Sequence, residues 1–213
     1  MSASNAGRIG IWGASGSGKS SLAKQILKGR GRVVVFDPLD EYQAQRMARV
    51  SNGRQLLGKM AENVRGFRLA YVPRAGAEAE HLDQLCDTLL AAQAIYKDSG
   101  GRKGWPLTLV VEEMNLSFPV HGGAEKCPGF ANVCSRGRHF GIEVLGLSQR
   151  LAEVSTRFRG NCSESYVLRQ NGPRDVSAAA DVLGQDRGTV QALRNLEYIH
   201  EKAGQIERGK ITF

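Results

Sequence analysis

Several classes of protein are excluded by what this 213-residue sequence lacks. No run approaches the ~18 consecutive apolar residues that a membrane-spanning helix needs, and the N-terminal stretch MSASNAGR does not have the basic-then-apolar order of a secretion signal. The four cysteines form neither a CxxC pair nor a dense disulfide framework, and a zinc site built from Cys127, Cys134 and His139 matches no finger spacing. These absences predict a cytoplasmic protein with reduced thiols and no transmembrane segment.

The charge of the chain is biased towards one sign. It has 29 Lys and Arg residues against 21 Asp and Glu residues, a formal net charge of +8. Such a balance favours a polyanionic partner such as nucleic acid, although other soluble basic proteins share it. Length and a hydrophobic content of 41% fit one globular domain. We assign that domain to residues 8–213, after a disordered N-terminus at residues 1–7.

Short apolar runs alternate with segments of helical periodicity, which is typical of βαβ units and a parallel sheet. We predict strands at residues 8–12, 32–37, 67–72, 107–112, 142–148 and 165–169. We predict helices beginning near Lys19, Tyr42, Glu78 and Ala124, and two more at residues 176–183 and 189–196. The last segment reads as a hairpin that turns at Ala203 and Gly204. The sequence therefore predicts an α/β fold, a mainly parallel sheet with helices on both faces and a C-terminal β-hairpin.

A glycine-rich stretch follows the first predicted strand and matches the phosphate-binding pattern G-x-x-x-x-G-K-[ST] in full. It comprises Gly13, Ala14, Ser15, Gly16, Ser17, Gly18, Lys19 and Ser20, with Ser21 next in the helix. Backbone N–H groups of such a loop converge on phosphate oxygens, Lys19 reaches the β and γ phosphates, and Ser20 offers its hydroxyl to Mg²⁺. The loop predicts binding of ATP with Mg²⁺; its alternative reading is a flexible Gly/Ser turn.

Two acidic residues end the apolar run LTLVV. We expect Glu112 to hold the metal and Glu113 to act as general base on the attacking water. Glu112 stands where an aspartate is usual, and a solvated acidic turn is the alternative reading. The strand at 142–148 ends in Ser148 and Gln149, and Gln149 would report the γ-phosphate if this strand lay between the other two. Alone, this pair also fits an ordinary loop start.

These motifs together resemble the FtsK/HerA superfamily of P-loop motor ATPases, which includes the genome-packaging ATPases of membrane-containing, double-jelly-roll viruses. The segment VVVFDPLDEY, with Asp37, Pro38, Glu41 and Tyr42, is similar to the family's second strand. The segment SRGRHFGIEVLGLSQR, which contains Gln149, resembles the family's basic helix end, Gly-Ile strand and terminal glutamine. The segment RQNGPRDVSAAADVLG is similar to the family's segment after the last core strand.

The resemblance implies a RecA-like ATPase that forms a ring, usually a hexamer, around double-stranded DNA. It also implies Gln149 as a sensor and an arginine supplied by a neighbouring subunit, for which Arg174, Arg138 and Arg136 are candidates. The absence of further domains favours a viral packaging motor, located in host cytoplasm or at the virion packaging vertex. A capsid vertex or portal protein would then be a partner.

We expect DNA contacts from the long segment at residues 114–139, which contains Lys126, Arg136, Arg138 and His139. Such contacts would read the phosphate backbone and be insensitive to sequence. The basic stretch at 97–105 precedes its strand, so we expect it at the opposite edge of the sheet, as a solvated turn.

Other nucleotide-dependent classes fit less well. A small-molecule or nucleoside kinase would need an arginine-rich lid segment, a GTPase an Asn-Lys-x-Asp motif, and an ABC-type ATPase an LSGGQ-like signature, and none of these is evident. Two alternatives stay open: the small-molecule or nucleoside kinase, and a DNA-binding adaptor with a non-hydrolysing nucleotide site.

Overall fold

A computed structural model describes residues 7–42 and 47–212, and these residues are organised by a nine-stranded sheet. The strand order is β3-β4-β2-β5-β6-β1-β7-β8-β9. Strands β1 to β7 pair in parallel, and β8 and β9 pair antiparallel. The strands are β1 (Arg8–Trp12), β2 (Arg32–Phe36), β3 (Ala48–Val50), β4 (Phe67–Tyr71), β5 (Leu107–Val111), β6 (Ile142–Ser148), β7 (Glu164–Leu168), β8 (Glu197–Lys202) and β9 (Gln205–Lys210). The predicted α/β fold with a C-terminal hairpin is confirmed.

Helices connect the parallel strands. They are α1 (Lys19–Ile26), α2 (Gly53–Glu62), α3 (Glu78–Ala92), α4 (Ala94–Asp98), α5 (Met114–Ser117), α6 (Gly123–Lys126), α7 (Pro128–Arg136), α8 (Thr156–Arg159), α9 (Pro173–Leu183) and α10 (Arg187–Gln191). Short 3₁₀ turns at Gly137–Phe140 and Leu151–Glu153 flank β6.

The core lies on both faces of the sheet. Val34, Leu109 and Val144 belong to one buried cluster, whereas their chain neighbours Val33 and Val110 belong to the other. Because successive side chains of a strand point to opposite faces, both clusters need apolar residues from the same strands. This explains why β2 and β5 are apolar without alternation, as expected of strands covered on both sides.

The helix predicted to begin near Tyr42 falls mostly on residues that the structure does not describe, so it stays a prediction. Tyr42 lies in irregular structure, residues 43–46 are outside the described part of the chain, and the next elements are β3 and then α2. Helix α2 starts at Gly53 because the side chain of Asn52 caps it, accepting a hydrogen bond from Gln55 N at 3.0 Å.

Other helix boundaries also differ from the prediction. The helix expected near Ala124 is two helices, since Pro128 cannot continue the first and opens the second. Helix α9 begins at Pro173 rather than 176, and α10 is capped by Asp186 and ends at Gln191 rather than at 196. The predicted disordered N-terminus falls mostly on residues outside the described ranges, and the single-domain assignment stays a prediction.

Parallel strands give the sheet two unlike edges. We call the edge at the carboxyl ends of β1 to β7 the carboxyl edge, and the edge at their amino ends the amino edge. Strand β6 lies between β1 and β5, so the glycine-rich loop, the acidic pair and Gln149 all leave the sheet at the carboxyl edge.

Candidate nucleotide site

The glycine-rich loop is anchored to the strands on either side of β1. Gly13 N donates to Ser148 O at 3.2 Å, and Ala14 N donates to Arg169 O at 2.8 Å. A Cβ at Gly13 would lie 2.8 Å from Leu168 Cβ, and one at Gly18, whose φ is +107°, would lie 2.7 Å from Ile211 Cδ1. Side chains do not fit at these two positions, so the loop needs glycine there.

Lys19 is the first residue of α1 and lies under the loop. Its Nζ donates to Ala14 O at 3.3 Å, and only 7% of the residue is exposed. Burial lowers the pKa of this amine, while the carboxylates of Glu113 and Glu112 act to raise it. The ammonium group is thus held between the loop and the acidic pair, where it can meet a phosphate.

The two glutamates after β5 point to different partners. Glu112 is buried, and its Oε1 accepts a 2.5 Å hydrogen bond from the hydroxyl of Tyr42. Glu113 has a left-handed backbone (φ 43°, ψ 52°), and its Oε1 accepts a 2.5 Å hydrogen bond from Gln149 Nε2. A non-glycine residue in this conformation is strained, and such strain is concentrated at functional sites.

The pKa of Glu112 is raised from 4.5 to about 7, mainly by burial and also by the charge of Glu113, while Tyr42 and Lys19 oppose the shift. A buried carboxylate next to another carboxylate is costly to ionise. A cation bound beside it would favour the ionised form.

A turn after β2 fixes the tyrosine that touches Glu112. The buried Asp37 carboxylate accepts hydrogen bonds from Glu41 N at 3.1 Å and Tyr42 N at 3.0 Å. Burial, then the charge of Glu112, raises the pKa of Tyr42, so its hydroxyl remains a donor. The segment VVVFDPLDEY contains Asp37, Glu41 and Tyr42, but the contact of Tyr42 with Glu112, 70 positions away, was not predicted.

These groups line a single cavity of about 360 Å³ at the carboxyl edge. Its phosphate-loop side consists of Ser15, Gly16, Gly18, Lys19, Ser20 and Ser21. Its opposite side consists of Asp37, Leu39, Glu41, Glu112, Glu113, Gln149 and Leu196. The structure thus brings Lys19, Ser20, Glu112, Glu113 and Gln149 to one cavity, while Gly13, Ala14 and Ser17 support the loop behind it.

Oxygen donors in this cavity fit Mg²⁺. Ser20 and Glu112 offer a hydroxyl and a carboxylate, which are the ligand types that Mg²⁺ takes, usually together with substrate phosphates and water. Within the described residues there is no group of three or more His, Cys, Asp or Glu side chains suited to a metal. Ser20 and Glu112 would serve a cation that takes its remaining ligands from phosphates and water.

The three candidate arginines are exposed and do not line the cavity. Arg174 lies in the first turn of α9, which follows β7 at the carboxyl edge. Arg136 and Arg138 lie just before β6, at the amino edge. Seven residues of β6 separate them from Gln149, about 23 Å of strand at 3.3 Å per residue. The segment at 114–139 therefore begins at the carboxyl edge but ends at the opposite one.

Sequence reasoning missed two supports of the glycine-rich loop. Arg169 Nη2 donates to Ser15 O at 3.3 Å, and its Nε donates to Asn195 Oδ1 at 2.6 Å. Leu196, which has φ 68°, donates from its backbone N to Ser17 O at 3.1 Å and lines the cavity. Both contacts join the loop to segments more than 150 positions away, and no local pattern marks them.

Comparison with known proteins places these features in a family. The chain is similar over its whole length to the genome-packaging NTPase B204 of Sulfolobus turreted icosahedral virus 2 in complex with ATP-gammaS, with 14% identity, 100% of both chains covered and a TM-score of 0.77. VirB4 of Thermoanaerobacter pseudethanolicus matches with 13% identity and a TM-score of 0.68, over 97% of this chain and 89% of that one.

The cytoplasmic domain of the Type VII secretion ATPase EccC of Thermomonospora curvata matches 97% of this chain with 17% identity and a TM-score of 0.63, but only 25% of its own length is covered. At these identities, the three likenesses establish the fold. No match was found among curated proteins. Among the described residues, no helix combines the length and apolar character that crossing a membrane requires.

The family model for the central domain of the helicase HerA matches residues 6–115, just over half of the chain, from β1 through the acidic pair. The chain belongs to the HerA central-domain family, within the FtsK/HerA superfamily.

Proposed function

We propose that this protein is an ATPase that moves double-stranded DNA, of the kind that packages viral genomes. The observation that supports it best is the meeting of Lys19, Ser20, Glu112, Glu113 and Gln149 around one cavity. A phosphate-binding loop is common to many activities, but a loop facing an acidic pair and a strand-end glutamine is suited to activating water.

The chain's own residues divide the work of ATP hydrolysis. The loop N–H groups and Lys19 hold the β and γ phosphates, and Ser20 and Glu112 would hold Mg²⁺. That cation would neutralise charge on the phosphates. Glu113 takes the proton of the attacking water, and its orientation is set by the 2.5 Å hydrogen bond from Gln149.

Gln149 can link the general base to the nucleotide. A carboxamide has two N–H donors, and one of them is used on Glu113. The other can reach a γ-phosphate oxygen in the same cavity. Hydrolysis would then depend on a γ-phosphate being in place, which is the role of a sensor.

An arginine from a neighbouring subunit would complete the site. In other P-loop enzymes such an arginine raises the rate by ~10³ to 10⁵. Arg174 is the best candidate because it is exposed at the carboxyl edge, where the cavity opens. A ring, with a hexamer as the expected size and a capsid vertex or portal protein as a further partner, is part of this proposal. The location is cytoplasmic or at the packaging vertex.

The test is steady-state ATP hydrolysis with and without a mixed-sequence DNA duplex. Wild type should hydrolyse ATP faster with DNA. Lys19→Ala should lose nucleotide binding, and Glu113→Gln should bind ATP but lose at least about 10²-fold in rate, as expected for removal of a general base.

Other outcomes would contradict the proposal. Transfer of the γ-phosphate to a nucleoside or another small acceptor, with no effect of DNA, would identify a kinase. Tight DNA binding without turnover would identify an adaptor.

A further inference from the structure

The amino edge of the sheet concentrates the positive charge of the protein. Four segments lead into the neighbouring strands β2, β4, β5 and β6 there: residues 28–32, 63–68, 97–106 and 136–141. Together they contain ten Lys and Arg residues and one acidic residue, Asp98, which leaves nineteen basic against twenty acidic residues in the rest of the chain. One of those twenty acidic residues, Glu143, lies at the second position of β6 and pairs with Arg30 at 2.9 Å, so the edge as a whole carries the net charge of +8.

Two of these segments are fixed to each other by a buried side chain. Gln93, which is 2% exposed, donates from Nε2 to Trp105 O at 3.1 Å and to Phe140 O at 2.9 Å. Its Oε1 accepts from Arg32 Nη1 at 3.0 Å, and Arg32 also donates to Trp105 O. The basic surface is thus built on a buried polar network that joins three of the segments, in which Arg32 Nε alone is left without a hydrogen-bond partner among the described residues.

Aromatic rings at this edge hold cations over their faces. The Arg65 guanidinium lies 5.6 Å from the ring centroid of Trp105, and Lys97 Nζ lies 4.9 Å from that of Phe140. These cation–π contacts keep the two cations in place beside the rings, and Trp105 itself remains 42% exposed.

The size of the surface fits the spacing of phosphates in a duplex. Four neighbouring strands about 4.8 Å apart span about 14 Å. B-DNA presents one negative charge per ~1.7 Å of axis when both strands are counted, about eight over that length, of which a surface on one side reaches those that face it. Of the ten basic residues, eight are exposed: Lys28, Arg65, Arg68, Lys97, Arg102, Lys103, Arg136 and Arg138.

We propose that the amino edge of the sheet, centred on the turn at 97–106, is where the protein contacts the phosphate backbone of double-stranded DNA. This inference rests on the proposed function. It makes the stretch at 97–105, expected from the sequence to be an ordinary turn, part of the binding surface, and it places Arg136 and Arg138 with it.

The two sites would then lie at opposite ends of the same strands. Strand β5 (Leu107–Val111) joins the turn at 97–106 to Glu112, and β6 (Ile142–Ser148) joins the turn at Gly137–Phe140 to Gln149. These two strands pair in parallel, so each connects the proposed DNA surface at one end to the groups that act on ATP at the other.

The test compares two triple variants with the same loss of charge. The edge variant is Arg65→Gln, Arg102→Gln and Lys103→Gln, and the control is Arg187→Gln, Arg194→Gln and Arg208→Gln, at exposed positions elsewhere. Binding to a labelled 30-base-pair duplex is measured by fluorescence anisotropy at several salt concentrations. The edge variant should bind at least about tenfold more weakly at 0.1 M salt, with a log–log salt slope smaller by about 3. The control should bind as wild type does.

Equal DNA binding by the edge variant and wild type would overturn the inference, and so would an equal loss in both variants. Thermal unfolding shows whether each variant is folded. If the edge variant is not, DNA binding is measured with Arg102→Gln alone. Vesicles containing phosphatidylserine are a parallel arm, and loss of vesicle binding with DNA binding intact would assign the edge to a membrane instead.

ATP hydrolysis separates this inference from the proposed function. If DNA stimulates ATP hydrolysis by wild type and by the edge variant equally, only the assignment of DNA binding to the amino edge is wrong. If DNA does not stimulate wild type at all, the proposed function itself is wrong.

Discussion

Replacing Glu112 by glutamine should stabilise the protein in the absence of metal, although it removes a residue of the proposed metal site. The carboxylate is 7% exposed, and its pKa is raised from 4.5 to about 7, mainly by burial. A shift of that size means that ionising Glu112 costs the folded state about 3 kcal/mol at pH 8.5, at 1.36 kcal/mol per unit. Glutamine has a similar shape, keeps an acceptor for Tyr42 and carries no charge.

The sign of the pH dependence follows from the direction of the shift. Between pH 4.5 and about 7 the folded protein binds more protons at Glu112 than the unfolded chain, so its stability falls as pH rises through that window. The gain from Glu112→Gln should therefore be about 3 kcal/mol at pH 8.5 and below about 1 kcal/mol at pH 5.

Urea unfolding of both proteins in EDTA at the two pH values measures this difference. Glu125→Gln, at an exposed position, is the matched control and should change stability by less than about 0.5 kcal/mol at either pH. A gain that is the same at pH 5 and pH 8.5, or a loss at both, would refute the reasoning from burial.

Two further substitutions test contacts seen around the site. Tyr42→Phe removes the 2.5 Å hydrogen bond to Glu112 and should raise the Mg²⁺ concentration for half-maximal ATP hydrolysis by roughly tenfold; an unchanged Mg²⁺ dependence would remove Tyr42 from the site. Gly146→Ala would place a Cβ 2.6 Å from Phe158 Cε1 and should lower the unfolding free energy by about 1–3 kcal/mol, whereas Gly58→Ala, with open space around it, should not lower it; equal effects would contradict the packing.

The parts of the site encoded in one short stretch could be predicted from the sequence. The glycine-rich loop and Lys19 are such a case, because loop, strand and helix follow one another in the chain. Glu112 and Glu113 are another, since a strand end fixes where they emerge. The position of Gln149 needed one further condition, that β6 lies between β1 and β5, and the sheet order confirms it.

Contacts between distant segments could not be predicted. The hydrogen bond from Tyr42 to Glu112 and the support of the loop by Arg169 and Leu196 depend on how separate crossovers pack. The strand β3 and helix α2 were missed for a related reason. Strand β3 is three residues long with one buried side chain, and α2 buries only Leu56 and Met60, so both carry too little apolar pattern to be recognised.

Displacement of a third strand from DNA measures directly whether the protein moves along a duplex. A fluorescent triplex-forming oligonucleotide is bound to a linear duplex, and its release is followed after ATP is added. Wild type should displace it only when ATP is hydrolysed, and Glu113→Gln should bind the same DNA without displacing the third strand. Rapid ATP hydrolysis by wild type with no displacement on any duplex would contradict the account.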